Sequence, residues 1–266
     1  MKLTNILTSC LIFILLLTSN SCADKYLNFF PEDKITSANF PQDEKDIKLL
    51  LNGVYALLRE TSIYDQGLFG FGLLDGATPN AFNWGNTSIT KIGNGTLSSG
   101  DGNIVTFRWT RCYSIIFRAN YLLKAIDKVT LSDDLKDIYT GEAHFLRGVA
   151  YSLLVESYGG VPIIESTLTT EEARNIPRAK AEETWAMAIS DYDVAIAKLK
   201  VDAPSVGRAT KGAALGMKMR AYLYQGKYDK VLEVITQIDA LNKYILFPSY
   251  AGLFRLENEN NKEVLF

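Results

Sequence analysis

Few side chains in this sequence can do covalent chemistry. His144 is the only histidine, and the cysteines are Cys10, Cys22 and Cys112. A general base must reach a substrate proton from a supported position. His144 stands beside Phe145 and Leu146 in a run of helical periodicity, so it reads as a packed or surface side chain and not as a catalyst. With one histidine and one cysteine beyond residue 22 there is no zinc set, and neither a metal nor a cofactor is expected. The carboxylate pairs Asp133/Asp134 and Glu182/Glu183 fall at predicted helix starts, where the helix dipole favours negative charge. Glycoside hydrolysis would instead need two carboxyls facing one cleft. GDGN at Gly100–Asn103 lacks the further acidic ligands of a calcium loop and reads as a turn. No enzyme is expected here.

What remains is non-covalent recognition. From Thr61 to Val105 the chain is rich in Gly, Asn, Ser and Thr, without helical or strand periodicity. Connections longer than about 12–15 residues are usually functional or disordered, and Phe69, Phe71, Phe82 and Trp84 argue against disorder. Trp84 lies between Asn83 and, two residues on, Asn86. An indole offers a flat apolar face to the C–H side of a sugar ring, and amides suit its hydroxyls. Trp84, Asn83, Asn86 and Phe82 are therefore candidate ligand contacts, with Tyr64 and Asp75 as further candidates from the same loop. A second role fits the same rings: pinning the loop to the helices beneath it.

Those helices are legible from apolar spacing. Asp43–Glu60 carries Ile47, Leu50, Leu51, Val54, Leu57 and Leu58 on one stripe, with acidic residues in the first turn. Residues 106–129 place Cys112, Ile115, Ile116, Ala119, Leu122, Leu123 and Ile126 together, which makes Cys112 a core residue. A third helix starts after the N-cap candidate Ser132 and runs to Tyr158, where Gly159, Gly160 and Pro162 stop it. Further helices span about 180–199, 210–224 and 228–240. Strand signal is confined to VPII (Val161–Ile164) and EVLF (Glu263–Phe266). The class is mainly α.

Leu223–Ile235, LYQGKYDKVLEVI, has the mechanics of a helical hairpin. Gly226 permits the tight turn, and Tyr228 is expected to pack into the angle between the two helices. The stretch resembles a tetratricopeptide unit, and such pairs stack because neither buries its apolar face alone. Two or three degenerate units are expected, the second and third helices forming another antiparallel pair.

The first residues bear on compartment. Lys2 and the apolar run Ile6–Leu17 are too short for a transmembrane helix of roughly 20 residues but suit a signal peptide. Small residues then lead to Cys22, a pattern that resembles a bacterial lipoprotein signal. Cleavage at the earlier LTSC, Leu7–Cys10, would leave most of the apolar run attached, and simple secretion with an unmodified Cys22 is the other reading. On the lipoprotein reading, residues 1–21 are the signal, 22–42 a tether and 43–266 the folded domain. Only Cys112 then stays in the body, and no intrachain disulfide is available. A hydrophobic content of 47% allows an apolar core, and a formal charge of −2 excludes an electrostatic nucleic-acid binder.

A wider resemblance now comes into view. EAHFLRGVAYSLLVESYGGVPII, Glu142–Ile164, is similar to the characteristic segment of the SusD/RagB family of Bacteroidetes outer-membrane lipoproteins. KYLNFFPEDKITSANF, LNGVYALL, RCYSIIFRANYLLKAID, GRATKGAALGMKMRAYLY and YAGLFRLENENNKEVLF agree in the same order, so the resemblance covers nearly the whole chain. It implies a SusD-like fold of tetratricopeptide-like hairpins with long irregular loops. It also implies the role: a nutrient-binding lipoprotein, anchored through Cys22 to the outer membrane and facing the cell exterior. Such a protein captures an oligosaccharide and passes it to a SusC-like TonB-dependent transporter. Family members are longer, so an N-terminal portion is expected, with the C-terminal part missing. The alternatives are a tetratricopeptide-type assembly lipoprotein and a surface glycan-cleaving enzyme.

Overall fold

The computed structural model describes residues 36, 39–59, 78–80 and 87–266. By internal contacts the chain divides into Met1–Gln42 and Asp43–Phe266, and the helices among the described residues all lie in the second unit. They are α1 (Glu44–Leu58), α2 (Thr87–Gly93), α3 (Gly102–Ile126), α4 (Asp133–Tyr158), α5 (Thr170–Arg174), α6 (Ala181–Lys198), α7 (Lys211–Tyr224), α8 (Tyr228–Asp239) and α9 (Tyr250–Leu253). Six of these match predicted helices to within a few residues. Of the three short ones, α2 lies inside the stretch read as irregular, and α5 and α9 carry too few residues to show a period.

The helix starts follow from local chemistry. Asp43 accepts from the Asp46 amide, Ser132 from Leu135, Thr169 from Glu172 and Thr210 from Ala213, each satisfying a donor that has no partner in the first turn. Helix α6 begins at Lys180, which offers no acceptor. Glu183 instead reaches back to accept from the Lys180 amide at 2.6 Å.

Helix α4 is the axis of the domain. It packs along α6 and α3 and also meets α1 and α7, while α7 packs on α6 and α8. The central contact is close because Gly148 of α4 has no side chain. A Cβ there would lie 2.8 Å from Cε1 of the Tyr192 ring on α6. Tyr192, Phe145, Tyr151, Leu146 and Leu154 are fully buried, together with Ile47 and Leu51 of α1 and Ile115, Ile116 and Leu122 of α3. Burying each such side chain contributes roughly 1.5–3 kcal/mol.

No strand occurs among the described residues, which overturns both strand signals. Residues 161–164 are extended but join no ladder: Val161 O takes a single backbone amide, from Ala179 at 3.2 Å, and the Pro162 and Ile164 carbonyls go to side chains. Tyr113 Oη donates to Pro162 O at 2.7 Å, and Asn120 Nδ2 donates to Ile164 O at 2.9 Å and Ser166 O at 3.2 Å. Tyr151 Oη accepts from the Ile164 amide at 2.7 Å and lies 3.1 Å from the carbonyl of the same residue. The segment enters through Gly159 at φ 70° and Gly160. A Cβ on Gly160 would fall 2.0 Å from Ala179 O, so only glycine fits. At the other apolar tetrad, Asn261, Glu263 and Leu265 are half-buried and alternate with exposed Lys262, Val264 and Phe266. The period is that of a strand, but its backbone link to the neighbouring segment is the Ile245 N–H donating to Lys262 O.

Gly226, at φ 68°, makes the tight turn between α7 and α8 as expected. Tyr228 does not occupy the angle of that hairpin: it is 66% exposed. The turn points its ring outward, and Val234 is the buried residue of α8.

Candidate functional site

Cys22 and all six loop candidates, Trp84, Asn83, Asn86, Phe82, Tyr64 and Asp75, lie outside the described residues. The structure does show what frames that loop. After α2, Asp101 accepts from Ser98 N and Oγ at 2.7 and 3.0 Å and pairs with Lys91. The Lys91 hydrogen bond, with those from Ser98, lowers the Asp101 carboxyl to about 2. GDGN thus spans the end of a turn, at Gly100 and Asp101, and the first two residues of α3, the turn being organised by an ammonium and a hydroxyl. Among the described residues no group of histidine, cysteine or acidic side chains could hold a metal ion.

Trp109 and Tyr113, early in α3, are already occupied. Trp109 meets Tyr113 at 5.0 Å and Tyr158 edge-on at 5.3 Å between ring centroids. Its backbone amide donates to Tyr158 Oη at 3.1 Å. Trp185 is 9% exposed, within the main core. Two of the three tryptophans are therefore consumed in packing.

Cys112 is fully buried, as its place on the α3 stripe predicted. Burial pushes its thiol up to about 12, so it is no nucleophile. His144 is not catalytic in arrangement either. Its Nδ1 lies 2.6 Å from Asp191 Oδ1, and the same carboxylate takes Arg147 Nε at 2.9 Å and Nη2 at 2.7 Å. Arg147 Nη1 continues to Asn120 Oδ1 at 2.6 Å and Glu165 O at 3.2 Å. Burial pulls the Arg147 guanidinium down, but the Asp191 hydrogen bonds and charge outweigh it and hold it above its ordinary value.

A second buried charge group joins α1, α4 and the α6–α7 connection. Glu142 is wholly buried, and Arg208 Nε lies 2.7 Å from its Oε2. Tyr55 Oη donates to the same carboxylate and accepts from the Ala209 amide at 2.9 Å. Arg208 also stacks over the Tyr55 ring at 5.0 Å and donates to Asn52 Oδ1 at 2.9 Å. Burial raises the Glu142 carboxyl, with Tyr55 and Arg208 drawing it partly back down.

Neither group is apparent as a unit from spacing alone, but a signal exists. Glu142 falls on the apolar stripe of α4, four residues after Ile138 and four before Leu146. Asp191 falls three residues after Ala188 on the stripe of α6. A charge on a buried stripe must find a partner, which a count of apolar positions does not report.

Comparison with known proteins now assigns the family. Residues 25–223 match the model of a SusD-like family described as starch-binding and associating with the outer membrane. The chain belongs to the SusD-like family. It is 26% identical over 281 residues to SusD-like protein P25 of Formosa agariphila, a match covering 100% of this chain and 51% of the relative. A SusD-like crystal structure from Bacteroides fragilis superposes with a TM-score of 0.78 at 27% identity, covering 90% of this chain and 47% of the other. A second B. fragilis structure, titled a SusD-like carbohydrate binding protein, gives 0.74 at 25% identity, covering 82% and 45%. The chain thus spans about half the length of these relatives. The mainly α, SusD-like architecture expected from sequence is the one observed.

Proposed function

We propose that this protein is a glycan-binding lipoprotein of the outer membrane, held through acylated Cys22 and facing the cell exterior. It captures an oligosaccharide with Trp84 as the stacking platform and the Asn83 and Asn86 amides on the sugar hydroxyls. Phe82, Tyr64 and Asp75 complete the contacts. The ligand passes to a SusC-like TonB-dependent transporter with no bond cleaved and no cofactor. Residues 22–42 act as the tether and 43–266 as the binding domain. Membership of a starch-binding family supports the ligand class, and the fate of the tryptophans supports the platform. With Trp185 in the core and Trp109 packed against it, Trp84 is the indole left for a ligand. The buried charges point away from hydrolysis, since each one described above is tied to a structural partner. The tethering lipid would also keep the site beside its transporter at high effective concentration.

Affinity electrophoresis against plant, host and microbial polysaccharides tests this reading. The intact protein is retarded by at least one of them, Trp84→Ala abolishes the retardation, and no reducing ends appear. Equal retardation of the Trp84→Ala protein would remove the platform, and released reducing ends would favour the glycan-cleaving alternative. Tyr228, Leu232 and Ile235 form an exposed apolar row on α8, and this favours a second reading, an assembly lipoprotein. Recovery of a non-transporter partner with no polysaccharide retained would support it.

A further inference from the structure

We draw no further inference here: the strongest candidate, the exposed apolar face of α8 built from Tyr228, Leu232 and Ile235, carries none because nothing in the structure shows what covers it.

Discussion

The body formed by α3, α4 and α6 and the region from α7 to residue 266 treat polar and apolar groups in opposite ways. In the body even charges are buried, and each meets a partner. Arg147 and Asp191 are 5% and 2% exposed, yet together they satisfy His144, Asn120 and the Glu165 carbonyl. Beyond α7 large apolar side chains face outward. Tyr228, Leu232 and Ile235 share one face of α8 by their spacing of four and three, and all are exposed. Ile245, Leu246, Tyr250, Phe254 and Leu256 follow in the same condition. The contrast separates a closed core, in which polar groups pair, from a stretch whose large apolar side chains lie at the surface.

The largest way to break that contrast is to open the body's charge group. Arg147→Met leaves Asp191 buried without its main partner and is expected to cost about 3–5 kcal/mol in denaturant unfolding. Arg147→Met combined with Asp191→Leu should recover much of the loss, because the uncompensated charge is gone. A single change costing under about 1 kcal/mol would show that the pair is solvated and the body less closed than described.

Next comes the side-chain clamp on residues 161–167. Tyr151→Phe removes the hydroxyl that serves Ile164 and should cost about 1–3 kcal/mol, since a buried amide loses its acceptor. Hydrogen exchange at the Ile164 amide should accelerate while that of the α4 core does not. Uniform acceleration would mean that the clamp belongs to the global fold and not to this segment.

A smaller effect belongs to the loop frame. Asp101, lowered from 3.8 to about 2 by Lys91 and Ser98, favours the folded state above its unfolded pKa. That contribution fades as pH falls from about 4 through 2. Asp101→Asn should therefore lower the melting temperature slightly at pH 7, leave it nearly unchanged near pH 2, and so flatten the acid limb of the profile. An unchanged acid limb would show that the Lys91 pair does not persist in solution.

Smallest of all is the exposed row itself. Leu232→Lys should change stability by no more than about 0.5 kcal/mol, as surface replacements do, while reducing dye binding to exposed apolar surface. A loss of several kcal/mol would show that α8 is covered, and the comparison would fail.

Much of this was legible from residue spacing. The stripes of α1, α3 and α4, the Ser132 cap and the burial of Cys112 depend on side chains within one helix, where a period of 3.6 leaves a direct trace. The VPII segment misled for a physical reason: its β-branched residues favour extended backbone but cannot say who takes its carbonyls. Tyr113, Asn120 and Tyr151 lie up to 49 residues away in sequence, and that pairing exists only once α3 and α4 are side by side. The exposure of Tyr228 is a similar case, decided by how α8 sits on α7.

Sequence alone determined the class, the positions of the six long helices and the family, because each rests on local period or on collinear motifs. Tertiary structure alone decided the partners of Glu142, Arg147 and Asp191. Burial and charge pairing arise between elements remote in the chain, and no single stretch of residues encodes them.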